Sequence, residues 1–360
     1  MLKETESLKA LIQGAAQSLQ ELLAQVPAVR VGQMEVEPRQ GGNTVDLLVH
    51  VEVQNQRRVL VCEVKSNGQP RNVRMALHQL LSFAANLEKE AVPVLIAPYL
   101  SPAAQALCRE GGAAYLDLLG NARITFDGIF IERIVERKPH TERRALRSLF
   151  KPKSAQVLSA LLQNPARPWR VTELAEESSV SLGHVSNVRA ALLAREWAQV
   201  SEEGLFLADP DALLDAWRDE YEPPKGSRTG FYTTLHGAVL EKAVRLALGT
   251  HPESGNAIFA SFSAAQWLAP YGRTGSQYFY ADGEGLKKLK YHLQLSAISK
   301  GENVVVTQPN DKGLFRDSIE PASGIFCTSL VQTYLDLTAA GERGREAADH
   351  LRQERLAWRT

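Results

Sequence analysis

Three folded parts are expected from this sequence: a mixed α/β sheet domain, a mainly helical middle with one hairpin, and a second α/β domain. Three observations point that way. Apolar runs of strand type alternate with amphipathic helices through residues 1–135. From 153 to 221 the apolar spacing is almost wholly helical, broken by a single short hairpin pattern. Glu222-Pro223-Pro224-Lys225-Gly226-Ser227 then reads as a linker to a remainder, 228–360, in which helices and short strands alternate again. A chain of 360 residues is too long for one ordinary core, which agrees with two or three domains.

The elements follow in order. Leu8, Leu11, Ile12, Ala15, Leu19, Leu22 and Leu23 recur at helical spacing and predict an opening amphipathic helix that ends before Pro27. Val45–Val53, Val59–Val64 and Val92–Ala97 are strand-type runs, with Asn55-Gln56-Arg57 as the turn between the first two. Helices are expected over Arg71–Leu87 and Pro102–Gly111, and short strands near Tyr115 and over Ile124–Phe126. Residues 136–152 form a basic linker with room for a short helix; it carries Arg137, Lys138, Arg143, Arg144, Arg147 and Lys151, with Lys153 just beyond. In the last part, strands are expected over Ala257–Phe262 and Asn303–Thr307, and a charged helix over Ala340–Trp358.

Composition narrows the function classes. Hydrophobic residues at 44% and charged residues at 23% exclude extensive disorder. The formal net charge is zero, so any nucleic-acid contact has to come from a local patch. Cys62, Cys108 and Cys327 lie far apart with no Cys-x-x-Cys or Cys/His cluster, which fits buried thiols in a reducing compartment and not a zinc site. No apolar run is long enough for a bilayer and the polar, amphipathic Leu2–Leu23 segment is no signal peptide, so a cytoplasmic location without a membrane partner is expected.

The most informative stretch is Arg170–Arg189. Thr172 is placed to cap a short helix that turns Leu174 and Ala175 inward. Ser178 and Ser179 make the turn, Val180 packs in it, and Ser181 caps a second helix whose Val185, Val188 and Leu192 share one face, widened by Leu193. Ser181, Gly183, His184, Ser186, Asn187 and Arg189 are left for DNA, with Gly183 permitting close backbone approach to phosphate. Val157, Leu158, Leu161 and Leu162 supply a supporting helix, and Trp197–Ser201, Glu202-Glu203-Gly204 and Leu205–Leu207 a hairpin. The run resembles the winged helix-turn-helix of bacterial transcription regulators. Such a module also serves protein contacts alone, and the two glutamates at the wing tip oppose strong phosphate contact there.

The first domain carries a second pattern. Glu63 and Lys65, two apart on one strand, share a face, and Asp46 on the neighbouring strand can join them. Val45-Asp46 and Glu63-Val64-Lys65 resemble the core of the PD-(D/E)XK nuclease superfamily, although Val precedes Asp46 where that family has Pro. The resemblance implies a restriction-endonuclease-like sheet, Asp46 and Glu63 as ligands of Mg²⁺, and Lys65 positioning water. Gln79 matches the helical glutamine of some branches, and Glu21 on the opening helix is a further candidate ligand. Hard carboxylate oxygens suit that ion, which lowers the pKa of its water. The same fold is also compatible with a binding platform whose acidic site is idle.

Tyr115-Leu-Asp117-Leu-Leu-Gly120-Asn121-Ala122 resembles a segment of AbiEi-type proteins, the antitoxin and regulator halves of type IV toxin–antitoxin systems. Phe262–Ala265, Leu268–Tyr271, Leu330–Leu337 and Gly341–Arg343 resemble that family's C-terminal domain. A cognate toxin and double-stranded DNA are the partners this implies, with a homodimer suited to a symmetric site. Read by themselves, the C-terminal residues say less: Asp336 and Arg343 suit a surface ion pair, and Tyr271, Tyr278, Phe279 and Tyr280 suit a core more than a ligand platform. Gly272-Arg273-Thr274-Gly275 lacks the Gly-Lys-Ser/Thr ending of a phosphate loop. Three expectations result, the first two being a DNA-binding transcriptional regulator and a metal-dependent DNA endonuclease addressed by the winged helix. A DNA-bridging accessory protein without catalysis is the third.

Overall fold

The computed structural model describes residues 2–358 apart from 41–42, 88–90, 250–254, 273 and 298–299, so Arg273 lies outside the described residues. The chain divides into two units, residues 1–143 with 190–196, and residues 144–189 with 197–360.

The first unit is built on a seven-stranded sheet. Helix α1 (Leu2–Ala24) precedes β1 (Val29–Val36), the two-residue strands β2 (Arg39–Gln40) and β3 (Asn43–Thr44), β4 (Leu47–Val53) and β5 (Gln56–Val64). Helix α2 (Pro70–Asn86) leads to β6 (Ala91–Ala97), α3 (Pro102–Glu110) to β7 (Ala114–Asp117), and β8 (Ala122–Phe126) and β9 (Ile129–Arg133) complete it. The strand order, β1-β4-β5-β6-β7-β8-β9, follows the chain. Only β5–β6 and β6–β7 are parallel, and these are the two connections that need a crossover helix.

Both faces are covered. Ile12, Ala15, Leu19 and Leu23 of α1 pack on Leu47, Val49, Leu60, Cys62 and Val64. Val73, Ala76 and Leu80 of α2, with Ala104 and Cys108 of α3, pack on Val61, Leu95 and Ala97. Burial on two sides is why Val92–Ala97 reads as an unbroken apolar run. The turn between β4 and β5 is one residue earlier than its sequence suggests: Gln54 and Asn55 both have positive φ (49° and 66°), and Gln56 is already paired with Val53. Two left-handed central residues match the twist of a hairpin. Strands β1 and β9, the sheet's edges, were not anticipated; β1 has irregular exposure and a bulge between Val31 and Met34 that blurs its alternation.

The Tyr115–Asn121 segment proves architectural. Asp117, 1% exposed, accepts from Leu119 N (3.0 Å) and Asn121 N (2.9 Å) on Oδ1. Its Oδ2 accepts from Leu100 N (3.2 Å) and Asn121 Nδ2 (2.8 Å). Asn121 Oδ1 in turn accepts from Val135 N at 2.7 Å. Gly120 has φ 105°, which the turn requires and other residues resist.

After α4 (His140–Leu149), which fills most of the expected linker, come α5 (Pro152–Gln163), α6 (Val171–Ser178) and α7 (Leu182–Ala194), the last of which is divided between the units at Arg189. A hairpin of β10 (Ala198–Val200) and β11 (Leu205–Leu207) follows, then α8 (Pro210–Asp219). A second seven-stranded sheet is made by β12 (Gly226–Tyr232), β13 (Ala257–Phe259), β14 (Gln277–Ala281), β15 (Ser296–Ala297), β16 (Val304–Pro309), β17 (Ile319–Ala322) and β18 (Ile325–Cys327). Its order, β15-β12-β16-β14-β13-β18-β17, is shuffled relative to the chain. The helices are α9 (Gly237–Leu248), α10 (Ser261–Leu268), α11 (Gly283–His292), α12 (Leu330–Thr338) and α13 (Glu342–Arg355). Phe262 belongs to α10 and not to the preceding strand, and β12 begins inside the stretch read as linker. Phe279 and Tyr280 are buried as core residues, while Tyr271 is 43% exposed. Arg352 of α13 binds Asp211 (2.6 Å) and Asp215 (2.5 Å) of α8, tying the two helices together.

All three cysteines are free and buried, and burial pushes the Cys108 and Cys327 thiols up to about 12 and Cys62 higher still. Only thiolate reacts readily. The native protein is therefore expected to take up no iodoacetamide at pH 8 in an hour, and three equivalents in guanidinium; rapid labelling of the native protein, read by mass spectrometry, would contradict this burial.

Candidate functional site

Residues 152–207 fold as three helices followed by the hairpin. Helix α6 starts at Val171, so Thr172 lies inside it and is not its cap; Arg170 holds the cap position, its N–H donating to Glu173 Oε2 at 3.3 Å. Ser179 ends the helix in a left-handed conformation (φ 49°). Ser178 Oγ folds back on the Leu174 carbonyl, and Val180 is buried in the turn. Val185, Val188 and Leu192 of α7 are buried, as their spacing requires, and so are Val157, Leu158, Leu161 and Leu162 of α5. Each such side chain contributes about 1.5–3 kcal/mol. Trp169 joins the hairpin by pairing with Leu205 (N···O 2.8 and 2.9 Å). Gly204 sits so close to Trp169 that a Cβ would lie 2.4 Å from its carbonyl oxygen, so only glycine closes this wing-like turn.

With that stripe buried, Ser181 just before α7 and Gly183, Ser186 and Asn187 on it are exposed. A Cβ on Gly183 would meet nothing within 4 Å, so packing does not explain the glycine. Arg189 is half-buried. His184 is placed differently from its neighbours: its Nε2 lies 2.9 Å from Ser154 Oγ, a buried hydroxyl at the start of α5. It anchors α7 to the supporting helix. The sequence did not single out Ser154, because a serine in a helix carries no signal of its partner.

In the first unit the sheet brings Asp46, Glu63 and Lys65 together. Asp46 Oδ2 accepts the Val64 N–H at 2.7 Å, and Lys65 Nζ donates to Glu63 Oε1 at 2.5 Å. Burial raises the pKa of both carboxyls; the charge of Asp46 raises Glu63 further, and that of Glu37 raises Asp46. Two partly buried carboxylates that repel one another are a place where a cation would be favoured. Glu37, absent from the sequence reading, adds its charge to Asp46 because a backbone bond, Glu37 N to Asp46 O (3.0 Å), draws the two segments together. No group of three or more His, Cys, Asp or Glu suited to a metal occurs among the described residues. Asp46 and Glu63 each keep one oxygen outside the bonds named, and Mg²⁺ is commonly held by one or two carboxylates with water and phosphate, so the donor set fits that ion. Gln79 is exposed on α2. Glu21 is exposed on α1 and accepts from Gln17 Nε2 at 2.9 Å; α1 covers the sheet face opposite Glu63, so Glu21 does not join the cluster.

A third polar centre lies in the second unit. Asp336 is no surface residue: its Oδ1 accepts from Tyr221 Oη (2.5 Å), Gln332 Nε2 (2.9 Å) and Tyr280 Oη (3.0 Å). Its Oδ2 is buried without a hydrogen-bond partner. Burial lifts its pKa to about 6 against the pull of the three donors. Tyr221 and Gln332 escaped the sequence reading because their link to Asp336 spans more than a hundred residues in the first case and one helical turn, unmarked, in the second.

No curated protein matches the chain. Among solved structures, an EndoMS–dsDNA2 complex matches with 21% identity over 29% of this chain and 44% of that one, at a TM-score of 0.22. A repair endonuclease from Pyrococcus abyssi matches with 17% identity over 29% and 46%, also at 0.22. The chain spans less than half the length of these structures, and a similarity this slight leaves fold and activity to the chain's own residues. Among the described residues no helix is long and apolar enough to cross a membrane. Residues 206–357, from the second hairpin strand to the end of α13, match the family model described as transcriptional regulator, AbiEi antitoxin, type IV toxin–antitoxin system.

Proposed function

We propose that this protein is a DNA-binding transcriptional regulator of the AbiEi kind, reading double-stranded DNA through α7 of a winged helix-turn-helix and meeting a cognate toxin through its C-terminal part. The observation that carries the reading is the division of α7: Val185, Val188 and Leu192 are buried while Ser181, Gly183, Ser186 and Asn187 face solvent. Small polar side chains on an exposed helix suit the major groove, where Asn pairs with adenine in two hydrogen bonds. The family match over 206–357 supports the regulator and toxin-partner assignment. Lys153, exposed beside the His184 anchor, and Arg170 at the start of α6 are suited to phosphate. Asn187→Ala with Arg189→Ala is expected to lower affinity for the natural site about 100-fold at fixed salt, each lost base contact being worth ~1–3 kcal/mol. Gel shifts on DNA from upstream of the gene test it, and unchanged affinity would remove α7 as the reading helix.

The convergence of Asp46, Glu63 and Lys65 favours a second reading, a DNA endonuclease. Asp46 and Glu63 would hold Mg²⁺, which supplies an acidified water and offsets charge on the scissile phosphate, while Lys65 keeps Glu63 ionised and oriented. The same gel run with Mg²⁺ and with EDTA separates the readings. Fragments that need metal and vanish in Asp46→Ala, Glu63→Ala and Lys65→Ala establish the nuclease; an intact shifted band in both lanes leaves the regulator alone.

A further inference from the structure

The second unit contains a cleft of about 510 Å³, within the range of sites that enclose small ligands. One wall is aromatic: the half-buried Phe150 is backed by the buried Trp217, on which it stacks (5.6 Å, rings 4° from parallel), and Tyr221 extends it. Ala155 of α5 lines the cleft, and Ser329 and Gln332 supply polar groups.

The charges around the cleft are unequally engaged. Of the four acids, Glu220 is paired with Arg147 at 3.5 Å, and Asp311 caps the Gly313 N–H at 2.9 Å. Burial raises the pKa of Asp317, whose neighbour Arg316 opposes that rise with its positive charge. Glu222 is exposed. Lys151 and Lys225, both exposed, have no ion pair among the described residues, which leaves the cleft with two uncommitted ammonium groups. We propose that this cleft binds a planar aromatic molecule carrying one acidic group, its ring against Phe150 and Tyr221 and its anion toward Lys151 and Lys225. Aromatic surfaces offer offset contacts to a flat ring, and two ammonium groups at one cleft attract an anion at low salt. None of its lining residues belongs to the carboxylate pair or to α7, and it does not depend on either functional reading.

The test uses the full-length protein and two probes, fluorescent 1-anilinonaphthalene-8-sulfonate, read at its visible emission, and the competitor 2-naphthoate, which emits only in the ultraviolet. The expected result is saturable binding of one sulfonate per chain, displaced by the naphthoate. Ala155→Trp fills the cleft and is expected to abolish it with an unchanged melting curve. Lys151→Glu with Lys225→Glu, two exposed changes, is expected to weaken it about tenfold at low salt. Should Ala155→Trp unfold, the lysine pair decides. Absence of saturable binding, or binding that the lysine variant retains undiminished, overturns the proposal.

Discussion

Asp117→Ala is expected to unfold the first unit. The carboxylate accepts four hydrogen bonds, three from backbone N–H groups and one from Asn121 Nδ2. At 1% exposure water has no way to replace them. An unsatisfied buried donor costs about 1–3 kcal/mol, so the loss is on the order of 5 kcal/mol or more, against a total stability of about 5–15 kcal/mol for a domain. Urea unfolding followed by far-ultraviolet circular dichroism should lose its first-unit transition in Asp117→Ala, while Asp117→Asn, which keeps an acceptor, should lose roughly half as much. A midpoint within 1 kcal/mol of wild type in Asp117→Ala would show that these bonds are dispensable.

Asp336 has the opposite character, being a buried group that weakens the protein when ionised. In the folded state its carboxyl holds a proton up to about pH 6, whereas in the unfolded chain it releases it near 3.8. Between those values the folded state binds the extra proton, so stability falls as pH rises; the contribution is complete below about pH 4 and gone above about pH 6. A shift of this size is worth about 3 kcal/mol. Asp336→Asn cannot titrate, so the stability of wild type relative to this variant should drop by about that amount from pH 4 to pH 7. Subtracting the two removes all other groups. A difference flat with pH would mean that water reaches Oδ2 and the carboxyl titrates normally.

The helical middle was legible because its signals are local. The Val185, Val188, Leu192 spacing and the Glu202-Glu203-Gly204 turn each lie within one element, and the structure places them as expected. Asp46, Glu63 and Lys65 were legible because strand alternation puts them on one face. What escaped was relational. Thr172 looked like a cap, yet the helix begins one residue earlier and Glu173 serves the free N–H. The hydrogen bond of His184 to Ser154, thirty residues back, left no mark in the sequence either. Asp336 and Arg343, one helical turn and a loop apart, suggested a surface pair; the tertiary fold instead turns Asp336 toward Tyr221 and Tyr280. Side-chain partners set by packing leave no periodicity to read.

The two sheets differ in how their strand order relates to synthesis. In the first unit every strand of the large sheet lies beside a neighbour in sequence, so each is laid down on a partner already made and the sheet is complete once Arg133 has left the ribosome. In the second, β12 must wait for β15 and β16 and β13 for β18, so Gly226–Gly230 stay unpaired until β16 has emerged. Pairing across long loops is slow and exposes apolar strands meanwhile. The nascent C-terminal half is thus the part most in need of a chaperone, and truncations ending between residues 233 and 303 should aggregate where one ending near 135 stays in solution.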